Sequence, residues 1–282
     1  MFRPQPALTK SLQLLEEDLG AKLFYRSARG MEPTEAGNVL YRHARAIDQE
    51  ARFASLDIQE NHLNLAGRIR IGIGPVLALS AFPDVFVDFH RQFPSVEVTV
   101  DMGVSSRLME GLARDDFDLV VTAFPGDPLP EKYVALPVFR SDMIVICRTD
   151  HPLRKSGGAT LEELCKYQRV GFSEDREFEK RSHRSLGASA AKMRPLLQTT
   201  SLSVMFGILS ATDYYAIVSS MILPSAQRDG LDRLTIHHDL WQLDIGLVCK
   251  STLSTTRPVV AIRDALLKYV HHRSHPAGSS QC

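Results

Sequence analysis

The chain has little that would point at a function by bulk chemistry. Lys and Arg number 33, Asp and Glu also 33, and the formal net charge is zero. A binding site for nucleic acid would therefore rest on a local patch and not on an overall basic character. The four cysteines, Cys147, Cys165, Cys249 and Cys282, are far apart, with no Cys-x-x-Cys among them. That spacing argues against a zinc knuckle and a disulfide framework, and reduced thiols in a cytosol fit it best. The first residues show no cationic region followed by an apolar run, so no export signal is expected and a cytoplasmic location is. No apolar stretch is long enough to span a bilayer, so no membrane partner is expected. Gly-x-Ser-x-Gly, the phosphate loop and His-Glu-x-x-His are all missing, so the expectation is a non-enzyme without catalytic residues, metal or cofactor. "HHRSH" could take a metal adventitiously, but it reads as part of a floppy polar tail whose last stretch is 276–282.

What is present divides into several segments, because 282 residues exceed one small core. In residues 1–33, Leu8, Leu12, Leu15 and Leu19 recur on one helical face. Pro6 suits the first helical position and Gly20 the C-terminal stop. "AKLFYR" reads as a strand and "SARGMEP" as a turn. In residues 34–66, Thr34 is a good N-cap. Leu40, Ala44, Ile47, Ala51, Ala54 and Ile58 then follow at spacings of four and three. That is a heptad seam, read as a dimerisation helix; the alternative is an amphipathic helix packed on its own domain. From 67 onward strands and helices alternate, which predicts βαβ units and a parallel sheet. "DMIVICRTDHPL" and "LDIGLVCKS" would carry the chain between two α/β lobes. Lobe I is expected at about 67–147 and 250–275 and lobe II at about 148–249, with a cleft between them where a small ligand would sit.

"QPALTKSLQLLEEDLGAKLFYRSARGMEPTEAG" resembles the DNA-binding region of LysR-type transcriptional regulators, and "RIRIGIG", "FDLVVTAFP" and "CRTDHPL" resemble their ligand-binding domain. The resemblance covers nearly the whole chain. It implies an α/β protein built as a partial winged helix-turn-helix, a linker helix that pairs subunits, and a two-lobed effector domain like the type 2 periplasmic binding proteins. It implies promoter DNA as one partner, a small-molecule co-inducer as another, and a homodimer or homotetramer. In the family about one helix and most of a second precede the "QPALTKSL" helix. A late start codon, a truncated gene and a genuine loss of DNA binding are three explanations of the shortening, and the first two together are favoured over the third. Rival readings are a truncated effector-binding protein that titrates full-length relatives, and an exported two-lobed solute-binding protein.

By resemblance Gln5, Pro6, Thr9 and Lys10 occupy DNA-contact positions. Glutamine can read adenine, threonine can touch a thymine methyl, and lysine can reach phosphate or guanine. Arg26 and Arg29 flank the wing turn, and Thr34 could bond a phosphate as well as cap its helix. Glu16, Glu17 and Asp18 would repel phosphate and are placed away from DNA. For the effector, candidates sit at strand ends and helix starts: Pro75, Val76, Ser105, Thr122, Phe172, Thr200 and Ser201. Helix starts offer free N–H groups to a carboxylate, so a small acid or aromatic acid is the expected ligand class. Ser105 and Ser201 could instead be simple helix caps. Asp213 is not assigned to the ligand.

Overall fold

The computed structural model describes residues 5–27, 30–58, 68–124, 128–173 and 176–274. Arg29, residues 59–67, the tail from 275 and the side chains of Gln5, Pro6 and Ile58 lie outside the described set. The chain divides into two compact units, residues 1–51 and 52–282.

In the first unit, α1 (Gln5–Leu19) ends at Gly20, whose φ of 63° is the left-handed conformation a helix stop needs. The hairpin β1 (Phe24–Ser27) and β2 (Gly30–Pro33) follows, so "GMEP" is a strand and not only a turn. The helix α2 (Glu35–Ile58) starts immediately after it. Thr34 caps α2 as expected: its Oγ1 accepts from the Gly37 N–H at 3.0 Å. The same hydroxyl donates to the Lys22 carbonyl at 2.6 Å, tying the helix start to the hairpin. A Cβ on Gly37 would overlap the Leu23 carbonyl oxygen, so only glycine allows this approach.

The second unit begins with the last residues of α2 and builds its first lobe from β3 (Arg68–Ile73), α3 (Pro75–Ser80), α4 (Phe82–Gln92), β4 (Glu97–Met102), α5 (Ser105–Ala113) and β5 (Leu119–Ala123). Two helices follow β3, the second restarting at Ala81 ahead of Pro83. The sixteen-residue strand β6 (Tyr133–Arg148) leads into the second lobe. That lobe holds α6 (Leu161–Leu164), β7 (Arg169–Phe172), α7 (Arg176–Leu186), α8 (Ser189–Lys192), β8 (Pro195–Thr199), α9 (Leu202–Ala211), β9 (Tyr215–Ser219), α10 (Leu223–Arg228) and β10 (Leu231–Leu234). The chain returns through β11 (Gln242–Lys250) and ends on α11 (Arg257–Ser274).

The strand order is β4-β3-β5-β11-β6-β9-β7-β8, with β10 beside β6. Parallel pairing holds only within each lobe, β3 with β4 and β5, and β7 with β8 and β9. The all-parallel expectation fails where the lobes join, because β11 runs antiparallel to both β5 and β6, and β6 antiparallel to β9. Helix crossovers enforce parallel strands, and here the chain passes between lobes in extended strands without one. The lobe boundary therefore falls inside β6 and β11. Residues 133–142 of β6 pair with β11, and 143–148 pair with β9 and β10. Residues 245–249 of β11 pair with β5, so they belong to lobe I and not, as expected, to lobe II.

Each lobe buries both faces of its sheet, which is why "LVV" of β5 and "YAIV" of β9 are unbroken apolar runs. In lobe I, Ile69, Ile71, Ile73, Val121 and Leu247 meet Val85 and Phe89 of α4 and Ile262 and Leu266 of α11. Val120 and Val248 face Leu108 and Leu112 of α5 on the other side. In lobe II, Ile144, Val170, Ala216 and Val218 pack on α9, while Val145, Tyr215 and Ile217 face the α6 to α8 side.

Candidate functional site

A cavity opens where the two lobes meet, among the strand ends and helix starts of both. From lobe I come Gly74 to Leu77 at the start of α3, Gly103 to Ser105 at the start of α5, and Thr122 to Phe124 at the end of β5. From lobe II come Phe172, Phe178, Arg181 and the Ile217 to Ser219 end of β9. Met143 of β6 and Leu243 and Ile245 of β11 form the floor where the joining strands cross.

Pro75, Val76, Ser105, Thr122 and Phe172, named from sequence, all line this cavity. Thr200 and Ser201 do not; Ser201 Oγ accepts from the Val204 N–H at 3.3 Å and is the cap of α9. Ser105 is not a cap. The N-cap of α5 is Val104, and the Ser105 hydroxyl donates to the Ala123 carbonyl at 2.8 Å, fixing the α5 start to the end of β5. Asp213 stays clear of the cavity and accepts from Arg148 Nη2 at 2.7 Å and Nε at 2.9 Å.

The lining is mainly apolar, with a few polar groups placed at its edge. Thr122 is 3% exposed, and its hydroxyl makes no hydrogen bond to any described residue. The hydroxyl oxygen opens onto the cavity instead of being sealed from it, so a ligand donor or acceptor can bond it there. The first turn of α5 supplies N–H groups and the positive end of the helix dipole. Ser219 Oγ lies 2.6 Å from Ser141 Oγ, which holds the lobe II rim. Gly246 lies beside the floor: a Cβ there would come within 2.6 Å of Phe124 Cζ, so glycine makes room for the ring that closes one wall.

Phe124, Met143, Phe178, Arg181, Ser219, Leu243 and Ile245 were missed from sequence. Five are apolar residues indistinguishable from core in a linear pattern. Arg181 sits in a helix with several other charges, and nothing local separates it from a solvated face.

On the first unit, Thr9, Lys10 and Arg26 are exposed, as a DNA-facing surface requires. Thr34 is different: its one proton goes to the Lys22 carbonyl, so it has none to offer a phosphate. Glu16 is neither solvated nor idle. Its carboxylate accepts from the N–H of Leu23 at 2.8 Å and of Phe24 at 3.3 Å and pairs with Lys22 Nζ at 2.7 Å. The Lys22 ammonium, then the Leu23 N–H, hold it below the usual carboxylate value. The leucine stripe is largely uncovered, with Leu8 at 55%, Leu15 at 41% and Leu19 at 50% exposure. Along α2, Ala44, Ala51 and Ala54 of the seam are exposed and Ile47 is 70% exposed, while Phe53 is buried in the lobe I core.

Among the described residues no cluster of metal-ligating side chains exists, and no helix is long and apolar enough to cross a membrane. Burial pushes the Cys147 and Cys249 thiols up to about 12.

The family description "LysR substrate binding domain" matches residues 63–270, and "Bacterial regulatory helix-turn-helix protein, lysR family" matches residues 1–38. The transcriptional regulator GalR of Pseudomonas putida is 28% identical over 263 residues, covering 92% of this chain and 65% of that protein. The nitrogen assimilation regulatory protein nac of Klebsiella aerogenes is 30% identical over 149 residues, covering 52% of this chain and 48% of that one. The chain thus spans about half to two thirds of the length of these relatives. A full-length OxyR variant from Pseudomonas aeruginosa superposes with a TM-score of 0.70 at 16% identity, covering 93% of this chain and 85% of that one. The effector-binding domain of QuiR in complex with shikimate gives 0.59 at 17% identity, covering 73% and 97%. With a helix-hairpin-helix unit ahead of a two-lobed domain whose lobes enclose an apolar cavity, and with both parts matched by LysR descriptions, the chain belongs to the LysR family.

Proposed function

We propose that this chain is a DNA-binding transcription regulator whose activity answers to a small acid with an apolar body. The observation that carries the ligand reading is the inter-lobe cavity, apolar over most of its lining and equipped at one edge with the Thr122 hydroxyl and the α5 start. That combination suits a carboxylate on a hydrocarbon or aromatic frame. The shikimate named with QuiR is itself a small carboxylic acid, which supports the same ligand class. Promoter DNA is the second partner, met by Gln5, Pro6, Thr9, Lys10, Arg26 and Arg29. A homodimer, or a tetramer as a dimer of dimers, would cover the α2 seam from Leu40 to Ile58. The exposure of Ile47 argues for that use over packing on its own domain. Catalysis has no place in this reading.

A peroxide-responsive thiol is disfavoured. A neighbouring OxyR structure is described as H2O2-bound, but among the described cysteines Cys147 and Cys249 are buried with their thiols pushed up, and burial also raises the half-buried Cys165, so none is favoured as the reacting thiolate.

The exposed leucine stripe of α1 favours a second reading, an effector-binding protein that oligomerises without binding DNA by itself. One experiment separates the two. Gel shift of the 282-residue chain on its own promoter is expected to give a specific complex that weakens steeply with salt. Intact oligomers with no specific complex at low salt would sink the DNA-binding reading and leave the effector domain's role standing.

A further inference from the structure

We propose that Arg181 is the anion-selecting residue of the inter-lobe cavity, the side chain that makes it prefer a carboxylate over a neutral molecule of the same shape. This rests on the reading of the cavity as the effector site.

Among the described residues Arg181 is the single charged side chain in the lining, and none of them brings a carboxylate to the cavity. It lies on α7 in lobe II, and its Nη2 donates across the cleft to the Phe124 carbonyl of lobe I at 2.9 Å. Among the described residues it makes no other hydrogen bond and no ion pair. A guanidinium carries five N–H donors in a rigid fork, so one bond to a neutral carbonyl leaves most of its capacity and all of its charge unanswered. A half-buried cation facing an apolar void is stabilised by an anion far more than by a neutral group.

The helix is also held in place to present it. Arg169, 2% exposed on β7, pairs with Glu179 of α7 at 2.8 Å and lies over the Phe178 ring at 5.2 Å from its centroid. Phe178 packs edge-on against Trp241 at 5.1 Å. Phe178 and Arg181 are three residues apart, on the same face of α7, and both line the cavity. The cross-cleft bond to Phe124 then aims the fork, so Thr122 and the α5 start on one wall face Arg181 on the other. A carboxylate between them would find a donor on each lobe.

The test uses the full 282-residue chain as wild type, Arg181→Gln and Arg181→Lys. Each is titrated calorimetrically with benzoate, phenylacetate and hexanoate and with the three corresponding primary amides. At least one acid is expected to bind wild type more tightly than its amide. Arg181→Gln is expected to lose about 10- to 100-fold in affinity for that acid, the range of one charge-assisted hydrogen bond. Its affinity for the amide should change by no more than about twofold, within the scatter of a neutral contact. Arg181→Lys should keep the preference for acid over amide, and it carries the comparison if the glutamine variant does not fold. Acid binding unchanged in Arg181→Gln, or amides binding wild type as well as acids, would overturn the proposal while leaving the cavity as a ligand site. No binding by any acid or amide would overturn the reading of the cavity and the proposal together.

Discussion

The Thr122 hydroxyl and the Glu16 carboxylate are each legible only through their partners, one by having none and one by having several. Thr122 is buried at the cavity with no hydrogen bond to lose. Thr122→Val should therefore leave the melting temperature unchanged or slightly higher. It should also weaken the bound acid about 2- to 10-fold, the net worth of one hydrogen bond. A clear drop in melting temperature would mean that the hydroxyl serves the fold. Glu16 serves the fold by position: it gathers Lys22 and two N–H groups where α1 turns into the hairpin. Its carboxyl is lowered from the ordinary 4.5, so its stabilisation is complete above that value and is lost as pH falls through the lower folded value. Melting followed between about pH 5 and pH 3 should fall less steeply for Glu16→Gln than for wild type. Equal slopes would remove Glu16 from this role. Sequence reading set Glu16 away from DNA on repulsion alone and missed its structural bonds, which reach six to eight residues along the chain and leave no local pattern.

At the scale of elements, α2 has two different faces. Its heptad seam was legible because four-and-three spacing is a property of the linear chain. What covers it was not, since spacing is the same for a seam against another helix and one against a domain. The exposed Ile47 supports the proposed self-association, and Ile47→Asp provides the check. The variant should dissociate into monomers in sedimentation velocity. The dimer dissociation constant should rise about 100-fold or more, because two isoleucines of ~1.5–3 kcal/mol each are lost. An unchanged dimer would place the interface elsewhere. The end of α2 is held differently. Arg52 donates to Asp118 at 3.1 Å and to the Arg68 carbonyl at 2.8 Å, and Arg70 donates to the same carboxylate at 2.7 Å. Asp118 is fully buried and also accepts from the Arg70 N–H at 2.7 Å. Removing it in Asp118→Ala takes the anion from two guanidinium groups, which keep their carbonyl partners, and leaves the Arg70 N–H without its acceptor. Stability should drop by about 3 kcal/mol, read from the urea midpoint. A loss below about 1 kcal/mol would show that water replaces the carboxylate at this joint.

At the scale of the whole effector domain, β6 and β11 are the structural link. Each contributes one stretch to the lobe I side and another to the joining region, so neither lobe has a sheet that is complete without them. Residues 68–274 should therefore unfold by heat in one calorimetric transition, despite a cleft between the lobes. Two resolved transitions would show that the strands part before either lobe melts. Adding a ligand that contacts both walls should raise that single transition in proportion to the logarithm of its concentration.

Local patterns carried the order of elements, the caps at Gly20 and Thr34, the helix α2 and most of the strands. Period and capping act over a few residues, so the chain reveals them directly. Pro75, Val76, Ser105, Thr122 and Phe172 were also within reach, because cleft residues of alternating α/β lobes fall at strand ends and helix starts. The antiparallel joining strands, the lobe boundary inside β6 and β11, the exclusion of Thr200 and Ser201, and the arrival of Phe124, Phe178 and Arg181 at one cavity came only with the tertiary structure. Those features depend on pairings between residues far apart in sequence, such as Arg181 with Phe124, 57 positions apart, and no local pattern encodes which distant surfaces will meet.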